Sequence, residues 1–378
     1  MSPPAVLSVV GNRPQYIKAA IVSRSVRAVA HEIVLDTGQH YDHELAGVFY
    51  DELDLPRADI ELGVGSDSHA RQTAAMLTGI AAAITEVRPR VVLVYGDTNS
   101  TLAGALAAAK LDVPIAHVEA GLRSFDRRMP EEVNRVLTDH LSSLLFCPTD
   151  TAVANLAREG IVAGVVQTGD VMLDLAMAAL SRDREEAVLA RFGVEPRGYV
   201  LATAHRPATT DEPAHLEAVL GALGALPDPV IFPAHPRTQA SIARFGLAGL
   251  VAPNVKLCDP VGYLESLSLA KNARVVATDS GGLQKEAYFF GVPCVTMRDT
   301  SEWVETIESG WNVLVGTDRA ALAAALADPP RGARHPAFFG EGDAGERLAA
   351  ALHMFLAQPS GGAGAPGRGV EPLRMNDA

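Results

Sequence analysis

Short apolar runs alternate with alanine- and leucine-rich stretches along almost the whole chain, and that rhythm restricts it to one fold class. Runs stand at Val6–Val10, Ile33–Asp36, Val91–Tyr95, Ile115–Val118, Leu144–Cys147 and Val165–Gln167. A second series follows at Tyr199–Ala202, Val230–Phe232, Val255–Leu257, Val275–Ala277 and Cys294–Met297. Helical stretches such as Thr101–Lys110, Leu216–Leu226 and Leu283–Phe290 separate most of them. A strand covered by helices on both faces is apolar throughout, so this order predicts α/β architecture with parallel sheets.

At 378 residues the chain exceeds what one core usually serves. Two domains of similar architecture are expected, over residues 1–175 and 176–357, with the charged Ser181-Arg-Asp-Arg-Glu-Glu186 near the passage. A last helical segment at Leu348–Leu356 closes the second half and can pack back on the first domain. Residues 358–378, rich in glycine and proline, cannot bury a core and are expected to be a disordered tail.

The net charge of −13 argues against nucleic acid as the main partner. It leaves room for an anionic ligand, because arginines and helix N-termini hold phosphate locally. Cys147, Cys258 and Cys294 lie far apart in apolar runs and read as buried free thiols in a reducing compartment. No uncharged apolar run reaches the ~18 residues of a membrane span. Met1-Ser-Pro-Pro lacks the basic and apolar regions of a signal peptide, so a cytoplasmic protein is expected.

Open parallel sheets bind ligands beyond the carboxyl ends of their strands, and the polar residues collect there. Asp97 ends one apolar run and Glu119 another, with Glu131, Glu132, Arg123 and Arg135 close behind. A carboxylate at a strand end is costly to desolvate unless it is paired or working, so these acids suggest proton chemistry. Gly11-Asn-Arg13-Pro14 and Thr37-Gly-Gln39-His40 follow other strands of the same half. In the second half His205-Arg206, His235-Pro236 and Ser280-Gly281-Gly282 take equivalent places, and two sheets facing across a cleft would join the sets.

Ser280-Gly-Gly282 opens a helix whose bare N–H groups suit a diphosphate; Glu286, one turn on, can accept ribose hydroxyl protons, and Arg13 can pair the phosphates. Structural alternatives stand beside each reading. Ser280 would cap its helix, Asp97 would cap the helix starting at Thr98, and Glu119 would pair with Arg123 or Arg135. No G-x-G-x-x-G follows the first strand, and neither a phosphate-binding G-x-x-x-x-G-K-[ST] loop nor H-E-x-x-H occurs. Histidines and cysteines do not gather at metal spacing, so no metal is expected.

Taken together, the motifs resemble those of the non-hydrolysing UDP-N-acetylglucosamine 2-epimerase family. The matching segments are Gly11-Asn-Arg-Pro-Gln-Tyr-Ile-Lys18, Thr37-Gly-Gln-His40, Gly96-Asp-Thr-Asn-Ser-Thr101, His117-Val-Glu-Ala-Gly-Leu-Arg123, Pro130-Glu-Glu-Val-Asn-Arg135, His205-Arg206 and Thr278-Asp-Ser-Gly-Gly-Leu-Gln-Lys-Glu-Ala287. The resemblance implies a glycosyltransferase-B fold of two Rossmann-like domains facing across a cleft, a homodimer, a UDP-sugar substrate and no cofactor. It also implies C2 deprotonation, loss of UDP to give 2-acetamidoglucal, and re-addition with inversion. By the same likeness Asp97, Glu119, Glu131 and His205 are catalytic. Arg13, Lys18, Gln39, His40, Arg123, Arg135, His235, Ser280, Gly281, Gly282 and Glu286 would bind UDP or substrate.

Two departures bear on this. Asp42 stands where substrate-activated members carry glutamine, which counts against allosteric activation. Gly11–Lys18, Lys285-Glu-Ala-Tyr-Phe-Phe290 and Ser301-Glu-Trp-Val-Glu305 are similar to the branch acting on UDP-2,3-diacetamido-2,3-dideoxyglucuronate. That substrate's carboxylate would want a further cation, for which Arg127, Arg128, Arg206 and Arg237 are available. A UDP-sugar glycosyltransferase of the same fold, a nucleotide-sugar sensor and a hydrolysing relative are the competing readings.

Overall fold

The computed structural model describes residues 5–39, 57–180 and 185–358. His40, Asp42, residues 181–184 and the tail beyond residue 358 lie outside them. Contacts divide the chain into two units, residues 1–174 with 339–378, and residues 175–338.

The first unit begins β1 (Ala5–Val10), α1 (Arg13–Arg27), β2 (His31–Asp36), β3 (Ile60–Glu61), α2 (His69–Val87), β4 (Val91–Tyr95) and α3 (Asn99–Lys110). It continues β5 (Ile115–Val118), α4 (Pro130–Leu141), β6 (Leu144–Cys147), α5 (Asp150–Arg158), β7 (Val165–Gln167) and α6 (Val171–Leu180), whose C-terminal part passes into the second unit. The strands form one parallel sheet in the order β3-β2-β1-β4-β5-β6-β7. Every residue of β4 is fully buried, which explains its unbroken apolar run. Chain direction across the sheet reverses between β1 and β4, and such a switch point opens a crevice at the strands' carboxyl ends.

Glycine is required where those ends crowd. A Cβ on Gly11 would lie 1.9 Å from Thr37 Oγ1 and 2.4 Å from Ser100 Oγ. Gly121, at φ 81°, would drive a Cβ to 2.4 Å from the Ala152 carbonyl oxygen.

The second unit contains α7 (Glu185–Phe192), β8 (Val200–Thr203), α8 (Pro207–Thr210), α9 (Pro213–Gly224), β9 (Val230–Pro233), α10 (Pro236–Arg244), β10 (Val255–Cys258) and α11 (Tyr263–Asn272). After these come β11 (Val275–Thr278), α12 (Gly281–Phe289), β12 (Cys294–Thr296), α13 (Val304–Glu308), β13 (Asn312–Leu314) and α14 (Arg319–Ala327). Its parallel sheet runs β10-β9-β8-β11-β12-β13, with the switch point between β8 and β11. One core joins Val200, Ala202, Val230, Phe232, Val275 and Ala277 to the apolar face of α9.

The last helix, α15 (Ala344–Ala357), joins the first unit, where it packs on α1. Asp174 fixes its start by accepting from the backbone N–H groups of Ala344 (3.1 Å) and Gly345 (2.8 Å). Nearby, Asp170 N–H donates to the Phe339 carbonyl at 2.9 Å, so the two crossings of the chain meet at one point. Burial pushes the Cys147 and Cys294 thiols well up, whereas Cys258 is only half-buried, less enclosed than its apolar run implied.

Candidate active site

In the first unit the ends of β4 and β5, adjacent strands on one side of the switch point, carry the acids. Asp97 leaves β4 after Gly96, and its carboxylate pairs with Arg135 on α4. Thr98, not Asp97, caps α3, in a reciprocal box with Thr101, so the capping alternative for the acid fails. Asn134 reaches the same turn, donating to the Asp97 carbonyl at 3.0 Å.

Glu119 follows β5 and pairs with Lys18 of α1. Its φ is 72°, a left-handed backbone that costs a branched-chain-free residue about 1–2 kcal/mol and persists only where surrounding bonds impose it. Glu119 and Ala120 N–H groups both donate to the Phe146 carbonyl, which supplies that imposition. Gly96 makes room above: a Cβ there would meet Lys18 Nζ at 3.3 Å and Glu119 Oε2 at 3.5 Å. The Lys18–Glu119 pair therefore lies over the residue that precedes Asp97.

The two carboxylates after Pro130 part company. Glu132 is buried and accepts from the Ser124 N–H and hydroxyl, the Phe125 N–H and Arg135, all at 2.9 Å. Glu131 is exposed in the first turn of α4, four residues before Arg135. Gln39 is buried, its carbonyl oxygen accepting from Ser100 N–H (3.1 Å) and hydroxyl (2.8 Å). Arg13 is the first residue of α1, after the Asn12 cap.

Arg123, expected to meet substrate, is held by two carboxylates. Its Nε and Nη2 donate to Glu159, and its Nη1 to Asp139, each at 2.7 Å, in a side chain 1% exposed. Burial opposes the charge, but those two carboxylates outweigh it and raise the guanidinium further.

In the second unit Thr203 and Thr278 hydroxyls meet at 2.6 Å across β8 and β11. Asp279, fully buried, accepts from the His205 N–H (2.9 Å), the Arg206 N–H (2.9 Å) and His205 Nδ1 (3.1 Å). His205 thus presents a half-exposed ring oriented by a carboxylate. Its neighbour His235, 6.4 Å away between ring centroids, caps α10 by accepting from Arg237 N–H. Ser280 caps α12 through Leu283 N–H, which leaves the N–H groups of Gly281 and Gly282 at the helix mouth. Glu286 is buried and accepts from the Tyr263 hydroxyl at 3.1 Å. Trp303 closes on this mouth, its Nε1 lying 3.6 Å from where a Gly281 Cβ would stand, and Lys285 packs 4.5 Å over the same ring.

Asp279 gains its role only from the structure. Its signal was an acid directly after an apolar strand, the same signal that singled out Asp97. Burial alone would raise its carboxyl, yet the His205 ring and the two N–H groups hold it below the usual range. A carboxyl lower in the folded than in the unfolded chain stabilises above the ordinary value near ~4, and that stability is lost as pH falls through the folded value. Urea unfolding of the wild type should therefore lose stability below about pH 4 more steeply than Asp279→Asn does. Equal slopes would mean the carboxylate contributes nothing.

Two parallel sheets with switch points, acids at one and a glycine-fronted helix mouth at the other, define a nucleotide-sugar enzyme of the glycosyltransferase-B class. The sequence matches the family described as UDP-N-acetylglucosamine 2-epimerase over residues 24–353, and the chain belongs to that family. It is 46% identical over 352 residues to a UDP-N-acetylglucosamine 2-epimerase homolog of Methanococcus maripaludis, covering 92% of this chain and 99% of that one. It is 48% identical over 322 residues to the UDP-2,3-diacetamido-2,3-dideoxy-D-glucuronate 2-epimerase of Pseudomonas aeruginosa, covering 83% and 89%. Among solved structures, the Methanocaldococcus jannaschii UDP-GlcNAc 2-epimerase in complex with UDP-GlcNAc and UDP superposes with a TM-score of 0.86 at 40% identity, covering 93% and 99%.

Proposed function

We propose that this chain interconverts UDP-N-acetylglucosamine and UDP-N-acetylmannosamine without hydrolysis. The observation that carries the reading is the pair of acids on adjacent strand ends, Asp97 and Glu119, each facing a cation and one of them held in left-handed backbone. The C2 proton of the sugar is barely acidic, so a positioned base and a good leaving group must act together. Inversion needs proton carriers for two faces of the ring, which accounts for more than one carboxylate. Asp97, Glu119 and the exposed Glu131 fill these roles. Lys18 and Arg135 hold the first two acids in place.

UDP is held by the N–H groups of Gly281 and Gly282, by the Ser280 cap and by Glu286 at the ribose, with Arg13 on the phosphates. His205, backed by Asp279, assists departure of the diphosphate. The reaction passes through 2-acetamidoglucal beside UDP and calls for no redox group. By family likeness the protein works as a cytoplasmic homodimer. Among the described residues no helix is long and apolar enough to cross a membrane.

A second reading, the same reaction on UDP-2,3-diacetamido-2,3-dideoxyglucuronate, is supported by the Pseudomonas relative and by the segment Ser301–Glu305. There Arg298 pairs with Glu302 at 3.0 Å beside the Gly281 mouth. Proton NMR in deuterium oxide separates the possibilities. An epimerase exchanges the C2 hydrogen of its own donor and builds the manno isomer; a transferase leaves C2 untouched, and a hydrolase accumulates free sugar. Offering both donors side by side decides between the two sugars.

A further inference from the structure

Beneath the acids lies a buried histidine that the reaction does not use directly. His117 is the third residue of β5, fully buried and paired in register with Val94 of β4. Its Nε2 lies 2.7 Å from the Gly96 carbonyl oxygen, and its Nδ1 lies 2.7 Å from Asp139 Oδ1. A carbonyl oxygen only accepts, so Nε2 carries a proton. Asp139 also accepts from Arg123 (2.7 Å) and from Gly121 N–H (3.1 Å) on its other oxygen. Burial would raise that carboxyl, but His117 and Arg123 outweigh it and hold it ionised. Both ring nitrogens of His117 are thus engaged, one by a backbone carbonyl and one by a carboxylate.

One carboxylate thereby grips both catalytic loops. Through His117 it holds Gly96, the residue before Asp97; through its own oxygen it holds Gly121, two residues after Glu119. The strained turn at Glu119 sits between these two attachments. A histidine that only filled space would need neither bond. We propose that His117 is a positioning residue for the epimerase, a buried ring that clamps the Gly96–Asp97 turn and, through Asp139, the Glu119 loop. The inference rests on the epimerase reading given above.

The test uses the full chain and UDP-N-acetylglucosamine, with C2–deuterium exchange, UDP titration and thermal unfolding measured together. His117→Gln, which can reach only one of the two acceptors, is expected to lower kcat at least ~10-fold while KM and UDP affinity stay within about twofold, as loss of geometry alone would do. An unchanged kcat, or a fall confined to KM, overturns the proposal. A merely structural histidine would give lower thermal stability with kcat intact. If His117→Gln does not fold, Asp139→Asn takes its place with the same expectation.

Nitrogen NMR of histidine-labelled wild type gives an independent readout: both His117 ring nitrogens are expected to be hydrogen-bonded, and a ring nitrogen without a hydrogen bond overturns the proposal. A wild type that exchanges C2 on neither donor sinks the epimerase reading itself. A wild type that exchanges while the variant matches it sinks only this inference.

Discussion

Asp97→Asn and Glu119→Gln are each expected to slow C2 exchange at least ~100-fold while UDP binds as before, the loss that removal of a general acid or base produces. Both changes preserve shape and remove only charge and proton-accepting power. Asn at 97 can still accept one hydrogen bond from Arg135, and Gln at 119 can still accept one from Lys18, so the turns stay in place. In the proposed function UDP binds chiefly at the α12 mouth, which neither substitution touches. Isothermal titration with UDP and NMR exchange rates on the same samples check the pair of claims. Weakened UDP binding with a proportionate loss of rate would show that the acids only shape the pocket.

Arg123→Met is expected to destabilise the fold by about 3–5 kcal/mol, because it strands a buried carboxylate without its cation. Asp139 is wholly buried, and Arg123 supplies one of the bonds that keep it ionised. Glu159, 27% exposed, can turn to water, so the penalty centres on Asp139. Methionine fills the volume of the stem and isolates the electrostatic part. Urea unfolding measures the cost. If Arg123 served substrate instead, stability would barely move and KM would rise.

The fold was legible wherever a strand was buried on both faces, as in Val91–Tyr95, since such strands are apolar throughout. The edge strands Ile60–Glu61 and Asn312–Leu314 escaped notice: they are two and three residues long and carry polar side chains. Asp97 and Glu119 could be read because an acid ending an apolar run is conspicuous. Glu131 and Glu132 could not be told apart, as neighbours on a helix differ by about 100° in direction and only the packed structure says which turns inward. Asp139 left no trace, because it sits in the last turn of a helix and its partners His117 and Arg123 lie 22 and 16 residues away. The partners of Arg123 are hidden for the same reason: its anions Asp139 and Glu159 lie 16 and 36 residues away.

The return of α15 to the first unit, next to the bond from Asp170 to Phe339, means that the second unit is spliced into the first as an insert. Residues 5–174 taken alone would lack the helix that covers α1, so the amino-terminal half is not a natural cutting point. The borders of the second unit emerge side by side, and that whole unit could be exchanged for a relative's through a single doorway while the acid-bearing unit kept all of its own strands.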